Sequence, residues 1–318
     1  MSIKDPLIPN SEKWNQMLLI VNQHRMLLQL NVRQQLKKLF LQRLISENIL
    51  VFIIQYIGLN LGTFSVHTAP MWFATGTSCA YLFLRGYTIL PGIWLGTFSA
   101  YLLAKASFFV AMGCATVFTI QAILLLWFCH HFLSPTLIFY RLKKFIIFIL
   151  YTILLTGVSS YLLLIMCYTS LIYLQAPLQL WLQWWLANFN GILVFSCAFI
   201  SFDAYFLDIY ATKQWKKSAL IFGLLVLLIT ALVFSYTLIT TTGLTILIVL
   251  LTFLISLRFG WYGSISAALL LGIILCFADL FNSPLYSTYS ISGLQVFLCV
   301  NTFIGLCLSL KSKANSLY

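Results

Sequence analysis

Long apolar stretches recur along this chain of 318 residues, and they restrict it to folds that a lipid bilayer can accommodate. A helix of about 20 apolar residues crosses the hydrocarbon core, where no water pairs with the backbone. Charged residues make up 8% of the chain, against about 25% in a typical soluble domain. We therefore predict an all-α polytopic membrane protein with about ten transmembrane helices. The stretches are 46–66, 69–85, 89–104, 106–129, 145–168, 180–206, 218–238, 241–257, 261–280 and 290–310.

The second and third stretches are shorter than the others and contain Gly and Pro. They are compatible with two short spans or with a re-entrant pair that enters and leaves the membrane on the same side. Removing both leaves eight spans and does not change the side on which the chain ends. The sequence therefore predicts eight to ten spans.

The basic residues are distributed unevenly between the two sides of this bundle. With the N-terminus in the cytoplasm, all but one of the 18 Lys and Arg residues fall on the cytoplasmic side, and the exception is Lys105. Short loops rich in Lys and Arg face the cytoplasm in most membrane proteins. We therefore expect a multi-pass protein of a bacterial inner membrane with both termini in the cytoplasm. This asymmetry accounts for the net charge of +12, so we expect the lipid bilayer, and no nucleic acid, as a partner.

The first 45 residues differ from the rest, because their apolar side chains recur at helical spacing among basic ones. This pattern predicts a basic amphipathic helix in the cytoplasm, either on the anionic inner leaflet or paired with a partner helix. The predicted organisation is this tail (1–45), an integral membrane bundle (46–310) and a short cytoplasmic C-terminus (311–318).

The chain has few groups that perform catalysis. It contains none of the common nucleotide-binding, zinc-protease or serine-hydrolase motifs, and its adjacent pair His130–His131 points in two directions on a helix. The eight Cys residues lie in apolar stretches without a CxxC pair and are interpreted as small core residues. We therefore predict a non-enzymatic protein with no metal and no cofactor.

Polar residues within the apolar stretches are candidates for a functional site. Asp279 lies in the ninth stretch, and an ionisable group at membrane depth indicates function unless an interface hydrates it. Amides such as Asn188 must find partners inside the bundle, and aromatic side chains can form the walls of a pocket. The sequence leaves open whether these residues pack helices together or bind a ligand. The tentative ligand-binding set is Trp72, Trp181, Trp184, Trp185, Asn188 and Asp279.

Four Trp- and Gly-containing motifs occur in the apolar stretches, in the order MW-x3-G, G-x4-PGI-x-LG, W-x2-WW-x5-G and RFG-x2-G. In this order, over about residues 50–310, they resemble the first type of the bacterial membrane-associated sensor domain (the MASE family). Besides the tryptophans, the matching positions are Gly76, Gly86, Pro91, Gly92, Gly96, Gly191, Arg258, Phe259, Gly260 and Gly263.

The chain departs from the family pattern at three places. Phe73 and Ala74 replace a WPP-like run, and Ala187 and Asn188 replace a usual Gly-Asp, which removes a carboxylate. Cys197 replaces a Pro. Family members usually continue into an output enzyme after the last span, whereas about eight residues follow it here, so we expect signalling through another chain.

The resemblance implies a non-enzymatic sensory or regulatory membrane module. It would bind an unknown small ligand or respond to a membrane signal, and act through a separate membrane or cytoplasmic signalling protein. A homodimer is compatible with this interpretation. The alternative is a small secondary transporter or lipid-handling permease, because scattered amides such as Gln55, Gln121 and Asn301 also suit a solute pathway.

Overall fold

The computed structural model describes residues 37–59, 70–133, 141–171, 177–209, 241–280 and 291–315. These residues are helical apart from short connections and contain no strand, which confirms the all-α prediction. The predicted span 218–238 and most of the predicted amphipathic tail lie outside the described residues.

Eight α-helices make up this part of the chain. A 3-10 helix, Gly86–Ile89, joins the second to the third, and a π-helical turn, Cys129–Leu133, extends the fourth. The α-helices are α1 (Lys37–Leu59), α2 (Phe73–Arg85), α3 (Leu90–Leu103), α4 (Phe108–Phe128), α5 (Leu142–Leu171), α6 (Pro177–Ile209), α7 (Thr241–Leu280) and α8 (Ile291–Asn315).

Three of the described helices are long and apolar enough to cross a membrane: Lys37–Leu59, Phe108–Leu133 and Leu142–Cys167. The last two confirm the predicted helices at 106–129 and 145–168. Within α7 and α8, Gly263–Cys276 and Ser292–Cys307 form shorter apolar segments. The chain is therefore a helical membrane protein, and the total of about ten spans stays a prediction.

The first predicted span is part of a helix that begins earlier than expected. The predicted division between the tail (1–45) and the bundle (46–310) falls inside α1, which runs without a break from Lys37 to Leu59. Polar residues continue the helix here because they pair locally: Ser46 donates to the Arg43 carbonyl at 3.0 Å, and Arg43 contacts Glu47 at 2.9 Å. The chain divides into a compact unit that ends at Glu47 and a second compact unit that begins at Asn48.

Short helices occupy the predicted second and third spans. At 1.5 Å per residue, the 13 residues of α2 extend about 20 Å, against a hydrocarbon thickness of about 30 Å. Helix α2 alone is therefore shorter than the hydrocarbon core. The 3-10 helix adds about 8 Å to the length of α3, so the two together approach the thickness of the core.

Helix α1 packs against α3 through small residues and buried amides. A Cβ on Gly92 would approach the Asn48 backbone, and one on Gly96 would meet Gln55, so both glycines permit close contact between the helices. The Asn48 amide donates to the Thr88 carbonyl at 2.9 Å and accepts from the Gly92 N–H at 2.6 Å. The Asn48 side chain therefore joins α1 to the start of α3.

Helix α7 is not a straight rod, although its helical residues are continuous. A straight helix would place Thr252 and Gly272 about 30 Å apart. Thr252, however, donates to Asn301 at 2.8 Å, and Gly272 lies against Leu298, which is one turn from Asn301. The axis is therefore bent between these two positions. The predicted loop near Arg258, between the stretches 241–257 and 261–280, is occupied by helical backbone.

Gly86 ends α2 with a φ of 69°, and no atom of the residues that the structure describes lies within 4 Å of the position that a Cβ would occupy. Gly86→Ala should therefore test backbone conformation alone, because L-residues are disfavoured at this φ. We expect the free energy of unfolding to fall by about 1 kcal/mol, measured by unfolding in detergent micelles. Gly113→Ala is the control: it meets only the flexible Met166 side chain, and an unchanged Gly86→Ala protein would contradict the prediction.

Candidate functional site

The start of α2 is fixed against the middle of α6. The Trp72 N–H donates to the Ala187 carbonyl at 2.9 Å, and Ala187 lies ten residues, about 15 Å, into α6. Gly76 and Gly191 meet at the same place: a Cβ on Gly76 would overlap the Gly191 carbonyl, and a Cβ on Gly191 would overlap the Trp72 carbonyl. Backbone therefore packs directly on backbone at this point.

Aromatic side chains surround the junction. The Trp72 ring lies 5.5 Å from Phe118 of α4 and 5.9 Å from Trp184 of α6, measured between ring centroids. Trp72 is 8% exposed, so the indole is enclosed by protein. These rings belong to a hydrophobic cluster whose other members include Cys114, Leu163 and Cys167.

A buried amide pair adjoins this cluster. Gln121 donates to the Asn188 Oδ1 atom at 3.0 Å, and Asn188 donates to the Gln121 Oε1 atom at 3.1 Å. Asn188 Nδ2 also lies 3.3 Å from the Ser159 hydroxyl and 3.4 Å from that of Ser160. We call these four residues the amide network. It joins α4, α5 and α6 and meets the hydrogen-bonding requirement of amides in lipid.

Two further tryptophans of the predicted site contact α5. The Trp181 indole donates to the Gly157 carbonyl, and the Trp185 indole donates to the Ile153 carbonyl, each at 3.0 Å. Their rings stack on each other with centroids 5.0 Å apart. Gly157 provides room for this contact, because a Cβ there would lie 3.4 Å from the Trp185 ring. The stacked pair therefore fastens α6 to α5.

Asn190 connects α6 to α8 and to the entrance of α2. Its Nδ2 atom lies 2.9 Å from the Gln295 carbonyl and 3.3 Å from the Pro70 carbonyl. Gln295 in turn donates to the Gln183 carbonyl of α6 at 3.0 Å. The Asn190 Oδ1 atom is buried and has no hydrogen-bond partner among the described residues. A donor on a small ligand would satisfy this acceptor.

The structure brings only some of the predicted site residues together. Trp72 contacts Trp184, and Asn188 belongs to the adjoining amide network, whereas Trp181 and Trp185 contact the α5 backbone. Asp279 lies within α7, but its side chain is outside the described residues, as are those of Arg258 and Phe259. Whether these residues bind a ligand stays a prediction.

The amide network and its surroundings are polar without being charged. Among the described side chains, the buried polar set contains amides and hydroxyls and no Asp, Glu, Lys or Arg. Across those same residues there is no group of three or more His, Cys, Asp or Glu that could hold a metal ion. Such a site can exchange hydrogen bonds with a neutral ligand or between helices.

Ser159, Ser160 and Gly157 were not among the residues predicted from the sequence to form the site. Two adjacent Ser residues after a Gly in an otherwise apolar helix were the available signal. A buried amide such as Asn188 requires partners, and small hydroxyls on a neighbouring helix supply them at little cost in volume.

Trp181→Phe tests the contact between α6 and α5. The substitution keeps a ring for stacking but removes the N–H that donates to Gly157, so we expect the free energy of unfolding to fall by about 1 kcal/mol. Unfolding in detergent micelles measures the change. Trp127→Phe is a matched control on α4, because Trp127 is 43% exposed; equal effects of the two substitutions would contradict the prediction.

Comparison with curated proteins and with solved structures gave no match. The profile of the MASE1 family matches residues 48–314, which is more than four fifths of the chain.

Proposed function

Because the chain belongs to the MASE1 family of membrane-associated sensor domains, we propose that it is a non-enzymatic sensory module that acts through a separate partner protein. Family membership supports a sensory role in the membrane.

The amide network is the observation that carries this proposal. Its hydrogen bonds, 3.0 to 3.4 Å long, connect three helices within one hydrophobic environment. Amides and hydroxyls can exchange partners without burying a charge, so two packing arrangements of the helices can have similar energies. A signal that binds one arrangement better shifts the population toward it. The network would thereby convert a local contact into movement of α4 against α6.

We propose that the signal acts where Trp72 and Trp184 meet beside Asn188. The aromatic rings would form walls for an apolar or planar ligand, and the amide would orient it. Trp181 and Trp185 would hold α6 in register with α5 while the contact changes. Asp279 would add a carboxylate for a cationic or hydroxyl group of the ligand.

An experiment on the partner tests the regulatory role. The full chain is crosslinked in intact cells, purified through a tag and analysed by mass spectrometry. We expect a linked protein with a kinase or cyclic-nucleotide signalling domain, and recovery of the monomer alone would contradict the proposal. Reconstituted liposomes provide a second arm: solute accumulation driven by a proton or sodium gradient would favour the transporter alternative.

The proposed site has its own test. A compound that raises the unfolding temperature of the purified protein should lose this effect in Asn188→Ala. The control is Asn301→Ala, which removes an amide that accepts from Thr252 on the α7–α8 contact. We expect the control to keep the shift; equal loss in both variants would show that general packing is responsible.

We also propose that both termini lie in the cytoplasm of a bacterial cell, since the basic residues concentrate on that side. Tags on the first and last residues should resist a membrane-impermeant reagent in intact cells and react after lysis. Reaction of either tag before lysis would contradict this orientation.

A further inference from the structure

Two cysteine side chains from different helices meet inside the aromatic cluster. Cys114 of α4 and Cys167 of α5 have their Sγ atoms 3.7 Å apart, and both residues are buried. They are 53 positions apart in the sequence, so their proximity results from the fold. A disulfide has an S–S length of about 2.05 Å, and the sulfurs would have to approach by about 1.7 Å to form one.

The surroundings of the pair favour an oxidant that dissolves in lipid. Both sulfurs belong to a cluster of Trp72, Phe118, Leu163 and Ala187, which offers little to a hydrated reagent. Met166, which precedes Cys167, is 41% exposed and packs on Gly113, which precedes Cys114. The exposed surface of the bundle therefore begins one residue from each cysteine along the chain.

We propose that Cys114 and Cys167 form a redox-active dithiol that is oxidised by a fully substituted, lipid-soluble p-benzoquinone. The two S–H bonds break and one S–S bond forms. The dithiol loses two electrons and two protons, and the two carbonyl oxygens of the quinone receive the protons as it is reduced to the hydroquinone. Full substitution of the ring prevents the thiols from adding to it.

The position of the pair links this chemistry to the amide network. Cys114, Phe118 and Gln121 are spaced i, i+4, i+7 on α4, and Cys167, Leu163 and Ser160 are spaced in the same way on α5. Each set shares one helix face. Closure of the disulfide would therefore pull together two helices whose contact continues, about 10 Å away, into the Gln121–Asn188–Ser160 hydrogen bonds. If the quinone is the signal that the protein senses, this inference rests on the proposed function.

The test counts reactive thiols on the full chain in lipid nanodiscs. Decylubiquinone is the probe, and copper–phenanthroline serves as a general thiol oxidant. After unfolding and alkylation, the untreated protein should carry alkyl groups on all eight cysteines, and the oxidised protein should lose two of the eight. Peptide mass spectrometry should find Cys114 linked to Cys167.

Single substitutions assign the reaction to this pair. Cys114→Ala and Cys167→Ala should lose no thiol on treatment, whereas the control Cys299→Ala, on α8, should still lose two. A monodisperse gel-filtration profile establishes that each variant is folded. Failure of both oxidants to link the pair, or linkage through other cysteines, would overturn the inference. Reaction with copper–phenanthroline but not with the quinone would overturn the assignment of the oxidant.

The chemical readout separates this inference from the proposed sensory role. If no disulfide forms, the inference fails while crosslinking to a signalling partner can still succeed. If the disulfide forms but no partner is recovered, the sensory proposal fails and the dithiol remains.

Discussion

Gly191→Ala is expected to lower the free energy of unfolding by about 3 kcal/mol, which is the upper part of the usual range for overpacking a core. The new methyl group would overlap the Trp72 carbonyl, which is backbone and cannot change rotamer. The Trp72–Ala187 hydrogen bond of 2.9 Å holds this backbone in place. The substitution must therefore separate α2 from α6 and disturb the aromatic cluster between them. Unfolding in detergent micelles and the yield of protein in the membrane measure the loss.

Gly113→Ala provides the matched control for this prediction. It also introduces one methyl group within a helix of the bundle, but the nearest atom is the Sδ atom of Met166, 2.9 Å away, at the end of a flexible side chain. Alanine also has a helix propensity about 1 kcal/mol better than that of glycine. We expect the control to be neutral or slightly stabilised. A Gly191→Ala protein as stable as the control would refute direct backbone packing between α2 and α6.

Asn188→Leu is expected to cost about 2 kcal/mol, because it leaves the buried Gln121 amide without its partner. Leucine has a similar volume, so the loss would reflect the hydrogen bonds more than a cavity. Gln121 is 1% exposed, which means that water cannot readily replace the lost contacts. Unfolding measurements should show that Asn188→Leu and the reciprocal single variant, Gln121→Leu, are both destabilised.

The double variant Gln121→Leu/Asn188→Leu separates pairing from packing. Removing both amides leaves neither one buried without a partner, so the double variant should be more stable than the sum of the two single effects predicts, by about 1 kcal/mol. Single and double substitutions of Asn301 and Thr252, which are hydrogen-bonded across the α7–α8 contact, provide a second double-mutant cycle. Strict additivity at Gln121 and Asn188 would show that the two amides do not act as a pair.

The presence of a helix was predictable from the sequence wherever a long apolar run occurs. The helices that contain residues 106–129 and 145–168 were expected because lipid permits few alternatives for such runs. Helix bounds near polar residues were less predictable. Arg43 pairs with Glu47 where α1 continues through the expected boundary, and helical backbone continues past Arg258, where a loop was expected.

The candidate site was predictable in its residue types but not in its contacts. An amide such as Asn188 within an apolar run must be paired, so the existence of a partner could be inferred. Its identity as Gln121, 67 positions away, depends on the packing of α4 on α6. Likewise, the motifs contain Gly76 and Gly191, but no periodicity in the sequence shows that these two glycines contact each other.

The neutral character of the amide network determines which physical stimuli can act on it. A membrane voltage performs work of about 2.3 kcal/mol per 100 mV on each elementary charge that crosses the bilayer. Gln121, Asn188, Ser159 and Ser160 carry no net charge, so their rearrangement moves almost none across the electric field. Stimuli that change the packing around the amide network would rearrange it. A change in membrane voltage would leave it almost unaffected.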